Sequence, residues 1–416
     1  MVVIAMYADG SVENVTAEVV CTPNKLTKAG TNTITVSYRE KTATFTVTVS
    51  EPAPVVPENI AEGTIDGTEI AWVIDAEGTL TVSGEGAIPD YVRNVTAAPW
   101  NAYAKQIKKI VVADGITAVG DYAFNGLTKV TSIELSATVK VLGTQFIRGT
   151  AITEVTLPAV ERIKEQAFAR ADSLAVINAG ESVKDIYGTI FFSETVTIKA
   201  PAGSYIAKYA ENYAEYFTVN ANVTFEAVGN ATSPINYFGK AGDKCFYAVY
   251  QISDTNWRYE ISGEGRMKNF PYVSQKYIDL GATFTPTYYM DGTERNIQSA
   301  IVYDGVTTLG NYIFYKCTKV SSIDVQGDIT SIGRGVFQAC SRLKSFTVGE
   351  NVTKIERTAF NGCSALTDVY IPDSVEVFED SVFVKCDFTK LKVHTTNELV
   401  IDILTAEYPN IVIVND

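Results

Sequence analysis

The sequence predicts a repeat solenoid of short strands in two tandem modules, preceded by a smaller all-β piece. Three observations carry this. Phenylalanine recurs at a fixed step: Phe314, Phe337, Phe360 and Phe383 lie 23 residues apart and close the runs Val306–Phe314, Ile329–Phe337, Val352–Phe360 and Val375–Phe383. An earlier series, Phe124, Phe146, Phe168 and Phe191, steps by 22, 22 and 23. A fixed period in the twenties marks a solenoid, in which each unit buries its apolar face only against its neighbours. The chain is also duplicated. Leu80–Gly86 matches Tyr259–Gly265, and Ile110–Phe124 matches Ala300–Phe314. Finally, within the first 50 residues Thr31–Tyr38 and Lys41–Val49 alternate apolar and polar, the period of a half-buried strand.

Within residues 1–50, Thr31–Tyr38 and Lys41–Val49 read as two strands joined at Arg39-Glu40. Tyr7–Val15 reads as another hairpin, turned by Asp9-Gly10. The Tyr-x-Asp-Gly-Ser hairpin and the closing Lys-Thr-Ala-Thr-Phe-Thr-Val-Thr-Val resemble a bacterial immunoglobulin-like domain. The resemblance covers about the last two-thirds of such a domain, its opening strands being absent, and implies a spacer or stalk. Residues 51–59 form a linker: Pro52, Pro54 and Pro57 favour an extended, semi-rigid stretch.

The first module is expected over residues 60–226 and the second over 227–416. The Asp-Gly pairs of the two modules are 190 residues apart and the Ser-Gly-Glu-Gly runs 179 apart, so the second lead-in is eleven residues longer. The excess falls around Asp279–Asn296 and reads as an exposed loop. Within one repeat, Leu366–Ile371 predicts a short strand, with Leu366, Val369 and Ile371 inward and Tyr370 outward. Pro372-Asp373 turns the chain and Val375–Phe378 is a second extended piece. Asp380–Lys385 predicts a single helical turn seated by Phe383. This unit resembles the BspA-type leucine-rich repeat of bacterial surface proteins, Leu-x-x-Val-x-Ile-Pro-x-x-Val-x-x-Ile-Gly-x-x-Ala-Phe-x-x-Cys. Gly310, Gly333, Ala359 and Cys363 fit that pattern, whereas Lys164 and Tyr187 replace its glycine in the first module. Each module closes with a predicted cap: a helix within Ala200–Tyr216, and another over Leu399–Ala406 followed by a strand at Asn410–Val414. Without a cap the last coil would expose its core and an unpaired edge.

Cys317, Cys340, Cys363 and Cys386 each follow a repeat phenylalanine by three residues. Thiols stacked in a line do not form the tetrahedron that zinc requires. Parallel side chains on adjacent coils also suit a disulfide poorly. The first module carries Leu127, Gly149, Ala171 and Glu194 at those places, so the thiols are expected to be free packing residues.

The net charge of −14 argues against nucleic acid and anionic membrane as partners. No apolar run is long enough for a spanning helix. Met1–Met6 lacks the basic start of a leader, so a secretory signal is expected to have been removed or to lie outside this chain. No nucleotide, zinc-protease or calcium-loop motif occurs, so no cofactor or metal is expected. His394 is the single histidine and is expected to be structural.

Binding is therefore the expected function, with no chemistry. The candidate surface comprises the lead-in tyrosines Tyr272, Tyr277, Tyr288 and Tyr289 and the outward strand positions Asp324, Thr347, Tyr370 and Lys392. Ile301 belongs to the same row, and Val111, Glu134, Thr156, Asn178 and Thr197 form its counterpart in the first module. The family resemblance implies a secreted or cell-surface protein that adheres to a protein on a host or neighbouring cell. A carbohydrate-binding module and a plain surface spacer are the alternatives. The tyrosines Tyr205, Tyr209, Tyr213 and Tyr216 fall on one helix face and are expected to pack.

Overall fold

The computed structural model describes residues 2–50, 59–270 and 296–415. The chain divides into two compact units, Met1–Glu58 and Asn59–Asp416. In the first, Ile4–Met6 pairs with Val12–Asn14, and Val20–Thr22, Gly30–Tyr38 and Lys41–Val49 form an antiparallel sheet. Arg39 and Glu40 both take positive φ, 42° and 64°, as a two-residue hairpin turn requires. Val15, Ile34 and Val36 are buried. The alternation gave the right strands but overstated burial. Phe45 stays 38% exposed, because no described element covers that face.

The second unit is a β-solenoid, and its lead-ins show the duplication in three dimensions. In the first module Ala61–Thr64, Glu69–Ile74 and Thr79–Ala87 run antiparallel before Lys109–Val112 joins in parallel. In the second, Ile235–Lys240, Cys245–Ser253 and Asn256–Gly263 do the same before Ile297–Val302. Each coil then adds a strand to the broad face and a second short strand on another line. That second line runs Val306–Leu309, Ser331–Ile332, Lys354–Ile355 and Val377–Phe378, all parallel.

The repeat phenylalanines are fully buried and stack along the axis. Successive ring centroids are 5.7 Å (Phe314–Phe337), 5.1 Å (Phe337–Phe360) and 5.5 Å (Phe360–Phe383) apart. Tyr259 starts that column 5.5 Å from Phe314, and Tyr213 ends the first module's column 5.9 Å from Phe191.

The bend carrying each phenylalanine is not the helical turn expected of Asp380–Lys385. It is a run of turns in which, except at Phe191, the residues two before and two after the phenylalanine position are left-handed, as at Ser381 (φ 62°) and Lys385 (φ 61°). One position of the sequence register also changes. The left-handed pair of the coil that holds Phe146 is Gln145 and Gly149, which flank Ile147. Phe124 N–H donates to Phe146 O just as Phe314 N–H donates to Val336 O, the residue before Phe337. Ile147 therefore takes the phenylalanine place and Phe146 the one before it. The position three residues on is then Thr150, not Gly149, and the buried Thr150 hydroxyl donates to Ile147 O at 2.8 Å.

The five cysteines of the second unit are buried, and none of the six forms a disulfide. The thiols of Cys340, Cys363 and Cys386 donate to Phe314 O, Phe337 O and Phe360 O of the preceding coil, each at 3.2 Å. Burial pushes the Cys386 thiol up to about 12 and raises Cys340 and Cys363 too. A thiolate is the reactive form. In the native protein Cys21 is therefore expected to be the one readily alkylated by iodoacetamide, with the other five reacting only after denaturation. Rapid native labelling of Cys363, seen by peptide mass spectrometry, would contradict this.

The first cap is two short helices, Tyr205–Glu211 and Tyr213–Tyr216, interrupted at Asn212. Ser204 and Asn397 cap the helices Tyr205–Glu211 and Glu398–Glu407, accepting from Ala207 N–H and Val400 N–H. Tyr205, Tyr209 and Tyr213 are buried, and Tyr209 lies 5.8 Å from Phe246 of the second lead-in. The first cap thus packs on the second module. Asp185 tightens this junction. It is 2% exposed, faces Arg162 Nε at 2.5 Å and accepts Gly263 N–H at 2.7 Å. Arg162 also pairs with Asp304, and Lys244 with Glu165.

Candidate functional site

Tyr272, Tyr277, Tyr288 and Tyr289 lie outside the described residues. The other four candidates all stand outward on the broad face of the second module, because side chains alternate across a strand. Ile301 pairs with Asp324, and Thr347 with Tyr370. The sheet is interrupted between Ser322–Val325 and Ser345–Thr347, so Asp324 and Thr347 belong to separate ladders.

Tyr370 pairs not with Lys392 but with His394, and Lys392 pairs with Asp368. The first module shows the same slip: Asn178 pairs with Lys199, not Thr197. The last coil of each module departs from the 23-residue step: Tyr370 to His394 is 24 residues and Asn178 to Lys199 is 21, so Lys392 and Thr197 each lie two residues before the true partner. A two-residue slip preserves the face, so Lys392 is still exposed, but one row over.

The correction brings out a residue that the sequence reading set aside. His394 lies under Tyr370, rings 4.2 Å apart and 20° from parallel. His394 Nε2 faces Asp368 Oδ1 at 3.1 Å. Thr367 and His394 hold the Asp368 carboxyl below the usual carboxylate range, Thr367 contributing more. Tyr370 remains 42% exposed. The pair forms one wall of a groove of about 450 Å³ that also takes in Thr347, Glu350, Asp373 and Thr396. Asp373 Oδ1 accepts the Thr396 hydroxyl at 2.8 Å, which steadies the rim. The arrangement offers a flat aromatic surface, hydroxyls and carboxylates. The signal for His394 was its position in the alternation, on the outward side of Lys392–His394.

No helix among the described residues is long and apolar enough to cross a membrane. The sequence matches the BspA type Leucine rich repeat region in six copies, over residues 101–213 and 288–401. It matches the Bacterial Ig-like domain (group 3) over residues 1–49. Among solved structures, a leucine-rich repeat protein from Eubacterium ventriosum is 17% identical, with 78% of this chain and 95% of that one covered at a TM-score of 0.27. A leucine rich cell surface protein from Faecalibacterium prausnitzii is 18% identical, with 86% and 99% covered and a TM-score of 0.27. The pneumococcal vaccine antigen PcpA is 13% identical, with 86% and 98% covered and a TM-score of 0.26. No curated protein matches. The repeat match spans more than half of the sequence, and the chain belongs to the BspA-type leucine-rich-repeat family.

Proposed function

We propose that this chain is a non-catalytic protein of the bacterial cell surface that binds another protein through the broad face of its second module. The exposed Tyr370 ring, stacked on His394 and flanked by Glu350 and Asp373, is the observation that carries this reading. A ring already held by a neighbour loses little freedom on binding, and tyrosine supplies both contact area and a hydroxyl. The strand face is otherwise relieved of folding duty, since the core lies on its other side. Asp324 and Lys392 extend the contact, and Tyr272, Tyr277, Tyr288 and Tyr289 add to it from the lead-in. The partner is a protein on a host or neighbouring cell.

The test is capture of surface proteins from host-cell extract on the immobilised full chain, followed by titration of the captured protein. Tyr370→Ala is expected to weaken binding by about tenfold or more, the loss typical of an interface anchor. Its unfolding midpoint should stay nearly unchanged, because an exposed side chain contributes little to the fold. Full affinity in Tyr370→Ala would remove this face from the interface. A captured protein that is converted to product would overturn the non-catalytic reading.

A further inference from the structure

The last coil and cap of the first module meet the lead-in hairpin of the second across a cleft of about 300 Å³, a size at which small-molecule pockets begin. The outward side of Asn256–Gly263 contributes Arg258 and Glu260, the adjacent strand contributes Tyr250, and Ser182, Lys184 and Tyr303 stand opposite or beside them. Outward residues on a solenoid strand ordinarily meet water. Here Glu260 is 4% exposed, and Tyr250 and Tyr303 are each 9% exposed.

The charges of the cleft balance, Arg258 and Lys184 against Glu260 and Glu181, and the Glu181 carboxylate already accepts the Thr232 N–H and hydroxyl. Arg258 faces Glu260, which also accepts the Tyr303 hydroxyl at 3.1 Å. Lys184 pairs with Glu161 at 2.7 Å. The aromatic faces are likewise occupied: Arg258 sits 5.2 Å from the Tyr250 ring centre and Lys184 5.8 Å from that of Tyr303. A cationic ligand would find both rings taken. An anionic one would find both cations paired, with the Glu260 carboxylate beside them. Two hydroxyls have no partner among the described residues: that of Tyr250, and Ser182 Oγ, which is buried. Burying Ser182 Oγ unpaired is costly, so a ligand that supplies a hydrogen bond here gains more than it would on an open surface.

We propose that this junction cleft binds a neutral sugar residue, its hydroxyls meeting Tyr250 Oη and Ser182 Oγ. A sugar offers donors and acceptors without net charge, together with a C–H face that suits the tyrosine edges. The site shares no residue with the Tyr370 groove, so either can fail without the other.

The test uses the full chain and a panel of free sugars: glucose, galactose, mannose, N-acetylglucosamine and N-acetylgalactosamine. Saturation-transfer NMR and calorimetry are expected to show saturable binding of at least one. Tyr250→Phe removes only the hydroxyl and is expected to weaken that binding about tenfold. Its unfolding midpoint should be unchanged, since no protein hydrogen bond is lost, and Tyr370→Ala should bind the sugar as the wild type does. The proposal is overturned if no sugar of the panel saturates the wild type up to about 50 mM, a concentration covering weak single-residue sites. It is equally overturned if the double variant Tyr250→Phe, Ser182→Ala binds undiminished, or if N-acetylneuraminic acid or choline binds more tightly than every neutral sugar.

Discussion

Phe360→Ala is expected to destabilise the second module by about 3–5 kcal/mol, the range for removing a large side chain from a core. Phe360 is fully buried, and its ring lies 5.1 Å from Phe337, 5.6 Å from Phe346 and 5.5 Å from Phe383. The coils on either side are pinned by their own ladders. Phe337 N–H donates to Ala359 O and Phe360 N–H to Val382 O, so the backbone cannot collapse into the hole. The Cys386 thiol also donates to Phe360 O, tying the next coil to the same place. Urea unfolding followed by far-UV circular dichroism measures the loss. A midpoint equal to that of the wild type would refute the buried column.

Asp185→Ala is expected to cost about 3 kcal/mol, the lower end for breaking a buried ion pair, because Arg162 keeps its second partner Asp304. The loss combines an Arg162 nitrogen without its inner carboxylate and a Gly263 N–H without an acceptor. The same residue gives a pH dependence. Burial raises the Asp185 carboxyl to about 6, against the opposing pull of Arg162. A carboxyl raised in the folded state adds stability that is fully present below its unfolded value near 3.9 and disappears as pH rises through about 6. Between about pH 4 and about pH 7 the wild type should lose stability relative to Asp185→Asn, which keeps an oxygen for Gly263 but does not titrate. Parallel pH profiles of the two proteins would refute the assignment.

The regular parts of this chain were written in its sequence, and the departures from regularity were not. The phenylalanine period, the lead-in duplication and the hairpin at Arg39-Glu40 translate directly into buried columns, matched lead-ins and a two-residue turn. Ile147 was hidden because the step from Phe124 to Ile147 is a full 23 residues while the next, to Phe168, is only 21, and Phe146 is as apolar as the true occupant. The bends resembled helical turns because their residues tolerate helix. The left-handed pairs at Ser381 and Lys385 follow from the need to turn a coil within five residues, which no local propensity reports. The Tyr370–His394 stack was missed by a two-residue slip in the last coil. The Arg162–Asp304 and Gly263–Asp185 contacts join residues 142 and 78 apart, and spacing carries no trace of them.

The ladder that repeats the bond from Phe314 N–H to Val336 O in the next two coils has a bearing on growth. Along this line each bend from Phe314 to Phe360 offers its successor the same donor, although the broad-face ladder breaks between Ser322–Val325 and Ser345–Thr347. A whole coil could be copied between Phe337 and Phe360 without orphaning a group of this bend ladder or changing the caps. Each copy would lengthen the broad face by one strand spacing, about 4.8 Å. Reach is therefore adjustable in fixed increments by duplicating a short stretch of coding sequence, while the Tyr370 groove and the junction cleft, set at opposite ends of the second module, keep their chemistry and change only their separation.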